Sequence, residues 1–249
     1  RITSFIFKDI AANDHILWET SFALGREDEA WAFWENRFET RGAPKRLGLP
    51  QEKWDLGDNV TGTLLVCSEQ GIGDEILYLS CLPDLYDDYQ SLIVECDERW
   101  HKLFRRSFPN ITIIPRQLKI TEMDGAFYDY TEIVRQLDIQ KYLLNGDLPR
   151  FYRSNFKTMR PSNGYLEPDA NRTEAFKKSL QKQPGQTLIG ICWRSGFAPA
   201  RRSIYPKLED LIDNLPERKD YRLINLQYGV GVGELEEVIK NTGVTIEHL

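Results

Sequence analysis

The sequence lacks the features that mark several large protein classes. Its longest apolar runs, residues 64–67 and 188–193, are far shorter than the roughly 20 residues that cross a bilayer, so no transmembrane segment is predicted. No basic segment followed by an apolar core stands at the start, which argues against an export signal. The first residue is Arg1 rather than Met, and we expect an upstream piece of the protein to precede it.

Cysteine and histidine are scarce as well. The four cysteines form no CxxC pair, and the three histidines show no ligand spacing and no HExxH motif. We therefore expect reduced thiols, a cytoplasmic location and no metal site. The cysteines are Cys67, Cys81, Cys96 and Cys192.

Basic residues are outnumbered by acidic ones. The chain has 32 Lys and Arg against 38 Asp and Glu, a formal net charge of −6. Generic nucleic-acid binding needs a basic face that neutralises phosphates, so no nucleic-acid partner is expected. What the sequence does contain is 41% hydrophobic and 28% charged residues, a balance typical of globular proteins.

Helical periodicity comes first along the chain. Apolar residues recur at helical spacing on both sides of Gly25, which predicts two short helices within residues 14–40. We assign residues 1–41 to a helical hairpin that resembles the last unit of a tetratricopeptide (TPR) array. A hairpin that only caps the next domain fits the pattern equally well.

An α/β pattern follows a connector rich in glycine and proline at residues 42–60. The predicted strands are 63–67, 91–96 and 111–114, and the predicted helices are 75–86, 98–108 and 130–137. Continuous apolar runs that alternate with helices are typical of βαβ units around a parallel sheet. We assign residues 61–165 to an N-terminal Rossmann-like domain.

The same alternation restarts after a proline-rich loop. The predicted strands are 187–193, 221–227 and one that starts at 244, and the predicted helices are 170–183, 207–214 and 234–240. Open sheets usually hold about 4 to 6 strands, so two or three strands make an unfinished domain. We expect residues 166–249 to be a C-terminal α/β domain that is cut short.

The strongest candidate for a functional site directly follows the first buried strand. Gly71 and Gly73 stand where a ligand approaches the backbone of an open α/β sheet, and Asp74 stands in the first turn of the next helix. The alternative is that the glycines only shape a tight turn while Asp74 caps the helix.

A dinucleotide site, as in an NAD(P)-binding oxidoreductase, is a weaker interpretation of the same region. Glu95 ends the second strand, where a ribose-binding acid is expected. However, Ile76 occupies the position of the third glycine of the GxGxxG motif, and a GxG pair alone is weak support.

A second candidate site follows the first strand of the C-terminal domain. Its residues are Arg194, Ser195, Gly196 and Arg202, with Gln227 and Tyr228 at the end of the next strand. Arginine offers a permanent charge and a fork of donors suited to phosphate oxygens, and the serine and glycine add further donors. The alternatives are a solvated basic loop and a glycine-rich loop without a ligand.

The two candidate sites together carry a resemblance to a known family. The run from Leu64 to Asp74, the later Ile93–Cys96 and the Trp193–Gly196 segment resemble TPR-containing glycosyltransferase-like proteins of bacteria. These are similar to the ADP-heptose:lipopolysaccharide heptosyltransferases and, more remotely, to the O-linked N-acetylglucosamine transferases. The resemblance implies a GT-B fold of two Rossmann-like domains, the second truncated here, preceded by a TPR-like hairpin.

The resemblance also implies an activity. Asp74 matches the proposed general base, and the second candidate site matches the donor side of a metal-independent, inverting transferase of hexosyl, heptosyl or N-acetylglucosaminyl groups. Its partners would be a nucleotide-sugar co-substrate, a glycan or protein acceptor, and a protein recruited by the TPR array, with no further cofactor. A later donor-binding motif of the family is absent, so we expect these 249 residues to be inactive alone. The alternative is a non-catalytic interaction or scaffold protein.

Overall fold

The computed structural model divides the chain into two compact units, residues 1–168 and 169–249. The division falls three residues beyond the predicted boundary at 165, and each unit is described by itself. The residues that the structure describes are 14, 16–38, 44–58, 62–89, 91–121, 125–155, 164–194, 205–215, 221–228 and 232–248.

Unit 1 alternates strands and helices after a helical start. Its helices are α1 (16–23), α2 (Glu27–Trp34), α3 (Ile72–Tyr78), α4 (Leu82–Asp88), α5 (Glu98–Ser107), α6 (Thr131–Gln136) and α7 (Leu148–Tyr152). Its strands are β1 (Lys45–Leu47), β2 (Glu52–Lys53), β3 (Thr63–Cys67), β4 (Leu92–Cys96), β5 (Thr112–Pro115), β6 (Leu118–Thr121), β7 (Gly125–Asp129) and β8 (Ile139–Leu144). Short 3-10 turns Glu35–Phe38, Leu79–Cys81 and Asn145–Asp147 join some of them.

A five-stranded parallel sheet forms the centre of unit 1. Its strand order is β2-β8-β3-β4-β5, and each neighbouring pair is parallel. The predicted α/β class with parallel sheets is thereby confirmed, and the arrangement is compatible with a Rossmann-like domain. The predicted strands at 63–67, 91–96 and 111–114 match β3, β4 and β5 to within a residue or two.

Both faces of this sheet are covered, which explains its uninterrupted apolar strands. Leu64 and Val66 point into one buried cluster together with Phe104 from α5. Leu65 and Cys67 alternate with them and point into a second cluster on the opposite face. Side chains alternate across a strand with a period of two, so a strand that is buried on both faces needs apolar residues at successive positions.

Unit 1 also contains a small second sheet of three strands. Its order is β1-β7-β6, with β1 parallel and β6 antiparallel to β7. The first of these strands, and β2 of the large sheet, come from the segment 42–60, so this predicted connector contributes one strand to each sheet. The acidic and aromatic stretch at 124–130 supplies β7.

The N-terminal helices α1 and α2 pack against each other through aromatic rings. Trp18 lies against Trp34 with ring centroids 4.6 Å apart, and Phe22 meets Trp31 edge-on at 4.9 Å. The Trp34 indole N–H donates to the carbonyl of Gly146, 2.8 Å away, directly after β8. The helical segment is therefore attached to the end of the large sheet.

Unit 2 is a smaller parallel α/β layer. Its elements are α8 (Ala170–Leu180), β9 (Thr187–Ile191), α9 (Leu208–Asp213), β10 (Tyr221–Asn225), α10 (Val232–Thr242) and β11 (Ile246–His248). The strands lie in the order β11-β10-β9, all parallel. Leu208, Leu223 and Leu235 form the centre of its buried cluster. Each predicted strand and helix of this unit has an observed counterpart.

Among the helices that the structure describes, none is both long and apolar enough to cross a membrane.

Candidate functional site

The candidate site lies at the carboxyl edge of the five-stranded sheet. Strands β3, β4, β5 and β8 are parallel and therefore end at the same edge. The segments that follow them are 68–71, 97, 116–117 and 145–147. Ligands of open α/β sheets bind at this edge, so the polar groups of these segments are candidates for contact with a ligand.

The turn from β3 into α3 carries the predicted Gly71, Gly73 and Asp74. Gly71 is the N-cap of α3, and both glycines are exposed. A Cβ added at Gly73 would meet nothing within 4 Å, so this side of the turn is open to a ligand. The preceding Gln70 has φ +56°, a left-handed conformation that side chains disfavour, so its surroundings hold the turn in shape.

Asp74 caps α3 from inside its first turn. Its Oδ2 accepts a hydrogen bond from the Gly71 N–H at 3.0 Å, the acid half of a capping box. The side chain is half-buried, and its other oxygen has no hydrogen-bond partner within the described part of the chain. Asp74 therefore forms the helix cap that the sequence predicts as the alternative. Its second carboxylate oxygen remains available to another partner.

Glu75, the next residue, turns into the protein and is fully buried. Its carboxylate accepts from the Ser68 hydroxyl, from the Asp97 N–H at 3.0 and 3.2 Å, and from the Arg116 guanidinium. These partners follow β3, β4 and β5 in turn. One buried carboxylate therefore ties α3 to the ends of three strands.

Glu95, at the end of β4, is a second fully buried carboxylate. It accepts from the Ser68 N–H at 2.6 Å, from the Gln117 N–H and from the Tyr130 hydroxyl at 2.9 Å. Burial raises the pKa of Glu95, although these hydrogen bonds act in the opposite direction. Because its oxygens are engaged and have no access to solvent, Glu95 is not placed to bind a ribose as the dinucleotide interpretation requires.

Arg46, on strand β1 of the small sheet, contacts the polar groups at the carboxyl edge of the large sheet. Its guanidinium donates to the Ser68 carbonyl at 2.6 Å and to the Tyr130 hydroxyl. It also lies 4.1 Å from the centre of the Tyr128 ring, a cation–π contact. Burial raises the pKa of Tyr130, which keeps its hydroxyl a donor to Glu95. Ser68 is thus held through its N–H, its carbonyl and its hydroxyl.

Arg37 connects the helical segment to the same edge. Its side chain, 8% exposed, pairs with Glu69 at 3.1 Å and with Asp147 at 2.9 Å, and both carboxylates are at most 1% exposed. Lys53 adds a second charge on Asp147 at 2.8 Å. Burial raises the pKa of Glu69, and the neighbouring Arg37 partly offsets this rise. The guanidinium also lies 4.7 Å from the Trp34 ring centre.

Most of this buried polar network is not predictable from the sequence. The residues concerned are Arg37, Arg46, Glu69, Glu75, Arg116, Tyr130 and Asp147. One signal was present, a charged residue inside the otherwise apolar run of β4. The others come from distant segments, and their proximity follows only from the sheet order.

In unit 2, Arg194 lies at the carboxyl end of β9, as predicted, but it already has a partner. Its guanidinium pairs with Glu234 in the first turn of α10 at 3.0 Å. Glu234 and Glu237 also line a cleft of about 270 Å³ together with Lys207 and Leu208. The predicted Ser195, Gly196 and Arg202 lie outside the described residues.

Gln227 joins the two strand ends of unit 2 instead of projecting from them. Its Oε1 accepts from the Trp193 and Arg194 N–H groups, both at 3.2 Å. Its Nε2 donates to the carbonyls of Arg194 and Tyr228, both at 3.0 Å. The amide is thus used internally, which fixes the backbone at Arg194. The Tyr228 side chain is 65% exposed and accessible to a ligand.

Comparison with known proteins gives one distant relative. Over 232 residues, 90% of this chain, the sequence is 28% identical to Protein FlbA of Caulobacter vibrioides. The chain spans 38% of the length of that protein. No protein-family model matches the sequence, and no solved structure does.

Replacing Arg37 with Met should destabilise unit 1 by about 3–5 kcal/mol, because it leaves Glu69 and Asp147 buried without their guanidinium. Urea unfolding followed by tryptophan fluorescence measures this, since five of the six tryptophans lie in unit 1. Arg26→Met is the matched control: its ion pair with Glu29 is more than half exposed, and we expect a change below about 1 kcal/mol. Equal losses in the two variants would contradict the buried pairing.

The raised pKa of Glu95 predicts a pH dependence. A proton binds this carboxyl more tightly in the native state than in the unfolded chain, where glutamate titrates near about 4.3. Its contribution to the free energy of unfolding is therefore full below that pH and is lost as the pH rises through the native pKa. The stability of the wild type minus that of Glu95→Gln should fall as the pH rises above about 4.3 in urea titrations. Glu98→Gln, at an exposed position, is the control for the loss of a carboxyl group. A stability difference between the wild type and Glu95→Gln that grows with pH would contradict the raised pKa of Glu95.

Proposed function

We propose that this chain belongs to a metal-independent, inverting glycosyltransferase that moves a sugar from a nucleotide-sugar donor to an acceptor hydroxyl. The observation that carries the proposal is the Gly71–Asp74 turn. It places a half-buried carboxylate beside an open glycine backbone at the carboxyl edge of a parallel sheet. Sheets of this kind bind their ligands at that edge.

Asp74 acts as the general base. A sugar hydroxyl is a poor nucleophile until its proton is removed in the transition state. One oxygen of the Asp74 carboxylate is held by the Gly71 N–H, which fixes its orientation, and the other accepts the proton. The acceptor oxygen forms a bond to the anomeric carbon while the bond from that carbon to the diphosphate oxygen breaks. The bonding electrons leave with the nucleoside diphosphate, and the anomeric centre inverts.

The sequence resemblance assigns the donor side to residues of unit 2. Arg194 stabilises the negative charge that develops on the leaving diphosphate, and its backbone is held in place by Gln227. Its guanidinium exchanges Glu234 for the phosphate oxygens when the donor binds. The exposed Tyr228 ring offers a stacking surface for the base or ribose. Ser195, Gly196 and Arg202 are assigned to the same donor site from the sequence resemblance.

The wider assignment is also part of the proposal. It includes a GT-B fold and helices α1 and α2 as the end of a TPR array that recruits a protein partner. The acceptor is a glycan or a protein, and the sugar is a hexosyl, heptosyl or N-acetylglucosaminyl group. Four free thiols, three of them buried, fit a reducing cytoplasmic setting.

A binding protein without catalysis is the second candidate. It is favoured by two contacts that already occupy the proposed catalytic groups. Asp74 serves as a helix cap, and Arg194 is paired with Glu234. In this case the α/β units serve as a scaffold for partners.

Two substitutions of Asp74 separate the candidates. Asp74→Asn keeps an oxygen that accepts the Gly71 N–H, whereas Asp74→Ala removes both the cap and the base. We expect Asp74→Asn to keep the wild-type Tm and to lower donor turnover by about 10²–10⁴-fold, the usual contribution of a general base. Asp74→Ala should lose the same activity and about 1 kcal/mol of stability.

The assay uses the protein with its natural flanking sequence. Thermal-shift screening against ADP-, UDP- and GDP-sugars selects the donor, and release of the nucleoside diphosphate measures turnover with water or an added acceptor as nucleophile. Full turnover in Asp74→Asn would remove Asp74 as the base. A wild type that shows no shift and no turnover with any donor would favour the binding protein.

A further inference from the structure

Glu75 is an unusual residue for its position. It directly follows the proposed base on the short helix α3, yet its side chain is fully buried. A carboxylate without solvent is costly unless its oxygens are paired and hydrogen-bonded. An apolar side chain would hold α3 on the sheet at lower cost, since replacing buried ion pairs by packed hydrophobic residues is often neutral or stabilising. The charge at this position therefore calls for a role other than stability.

The partners of Glu75 show what it fixes. They are the hydroxyl of Ser68 at one end of the turn, the backbone N–H of Asp97 and the guanidinium of Arg116. Ser68 is itself held by Glu95 through its N–H at 2.6 Å. Hydrogen bonds have direction, so this set fixes both the position and the rotation of α3 relative to the strand ends.

Hydrogen bonds connect Glu75 to the base through one residue, Gly71. The Glu75 N–H donates to the Gly71 carbonyl at 3.1 Å and closes the first helical turn. The Gly71 N–H in turn donates to the Asp74 carboxylate at 3.0 Å. Movement of Glu75 thus displaces Gly71 and the carboxylate that it orients.

We propose that Glu75 is the positioning residue of this site, with its buried carboxylate fixing the 68–75 turn so that Asp74 is presented to the acceptor hydroxyl. The inference rests on the proposed function. It adds that the first turn of α3 is pre-organised by a carboxylate that never touches the substrate. A displacement of about 1 Å in a catalytic group can lower turnover by about a hundredfold. The turnover kept by fixing Asp74 therefore outweighs the cost in stability of burying a charged Glu75.

The test compares Glu75→Gln with a matched variant. Glutamine has nearly the same shape, but it presents an NH₂ group to Asp97 or Arg116, where an acceptor is needed. Asp84→Asn is the control: it also neutralises a carboxylate of unit 1 that pairs with an arginine, here Arg153 at 2.6 Å, and it lies on α4, outside the segments of the candidate site. We expect Glu75→Gln to lower kcat by about a hundredfold with KM for the donor changed less than about twofold. Asp84→Asn should keep the wild-type kcat.

The double variant Asp74→Asn with Glu75→Gln separates positioning from general damage. If Glu75 acts through Asp74, kcat of the double variant equals that of Asp74→Asn alone, because residues that act as a unit are not additive. Losses that multiply, or an equal loss of kcat in Asp84→Asn, would overturn the proposal.

A second readout keeps this inference separate from the proposed function. If the wild type turns over no donor, the proposed function fails, and amide hydrogen exchange then decides the role of Glu75. Glu75→Gln should speed exchange at residues 68–76 at least tenfold while the amides of β8 keep their rates. Unchanged exchange at 68–76 would show that Glu75 does not anchor the turn.

Discussion

Buried charge at the end of one sheet is the constraint on which the structure of unit 1 depends. Among the described residues, Glu69, Glu75, Glu95 and Asp147 each have at most 1% of their surface exposed. Their oxygens accept from backbone N–H groups, hydroxyls and guanidinium groups that belong to segments distant in sequence. Breaking such a pair by removing one partner is expensive, so the segments that meet here must keep their relative positions.

This constraint explains how an exposed turn can have a defined shape. The Gly71–Gly73 backbone is open to solvent, and short glycine turns are usually free to vary. Here the turn starts at Ser68, which is bonded on three sides, and ends at Glu75, which is bonded to three strand ends. The result is an accessible backbone and a carboxylate at Asp74 held on a rigid support, as a binding or catalytic site requires. The helical segment shares in this support through Arg37.

The sequence predicted the parts of the fold that local pattern determines. The apolar runs of β3 and β4 were clear because both faces of the sheet are covered. Strand β8, a central strand, was missed because Gln140 and Lys141 interrupt its apolar pattern. Gln140 accepts from the Thr63 N–H, and Lys141 pairs with Asp58. These partners are 77 and 83 residues away, so no local pattern reveals them.

In the candidate site, too, local pattern predicts the place of some residues, whereas others depend on contacts that are distant in sequence. The position of Gly71, Gly73 and Asp74 was predictable because it depends only on the local pattern of a buried strand followed by a helix. Glu75 was not, because an acid in the first turn of a helix is ordinarily solvated and favoured by the helix dipole. Its burial depends on Arg116, which directly follows β5. In unit 2, Arg194 and Gln227 were predicted as ligand contacts, whereas the structure pairs the first with Glu234 and uses the second to join two strand ends.

Amide hydrogen exchange of the wild-type protein, resolved residue by residue by NMR, tests the central claim most directly. The N–H groups of Ser68, Asp97 and Gln117 lie outside the strands, and each donates to a buried carboxylate. We predict that these three amides exchange as slowly as those in the middle of β3 and β4, while the amide of Gly73 exchanges rapidly. Rapid exchange of all three at neutral pH would contradict the account, because the carboxylates would then not hold the strand ends together.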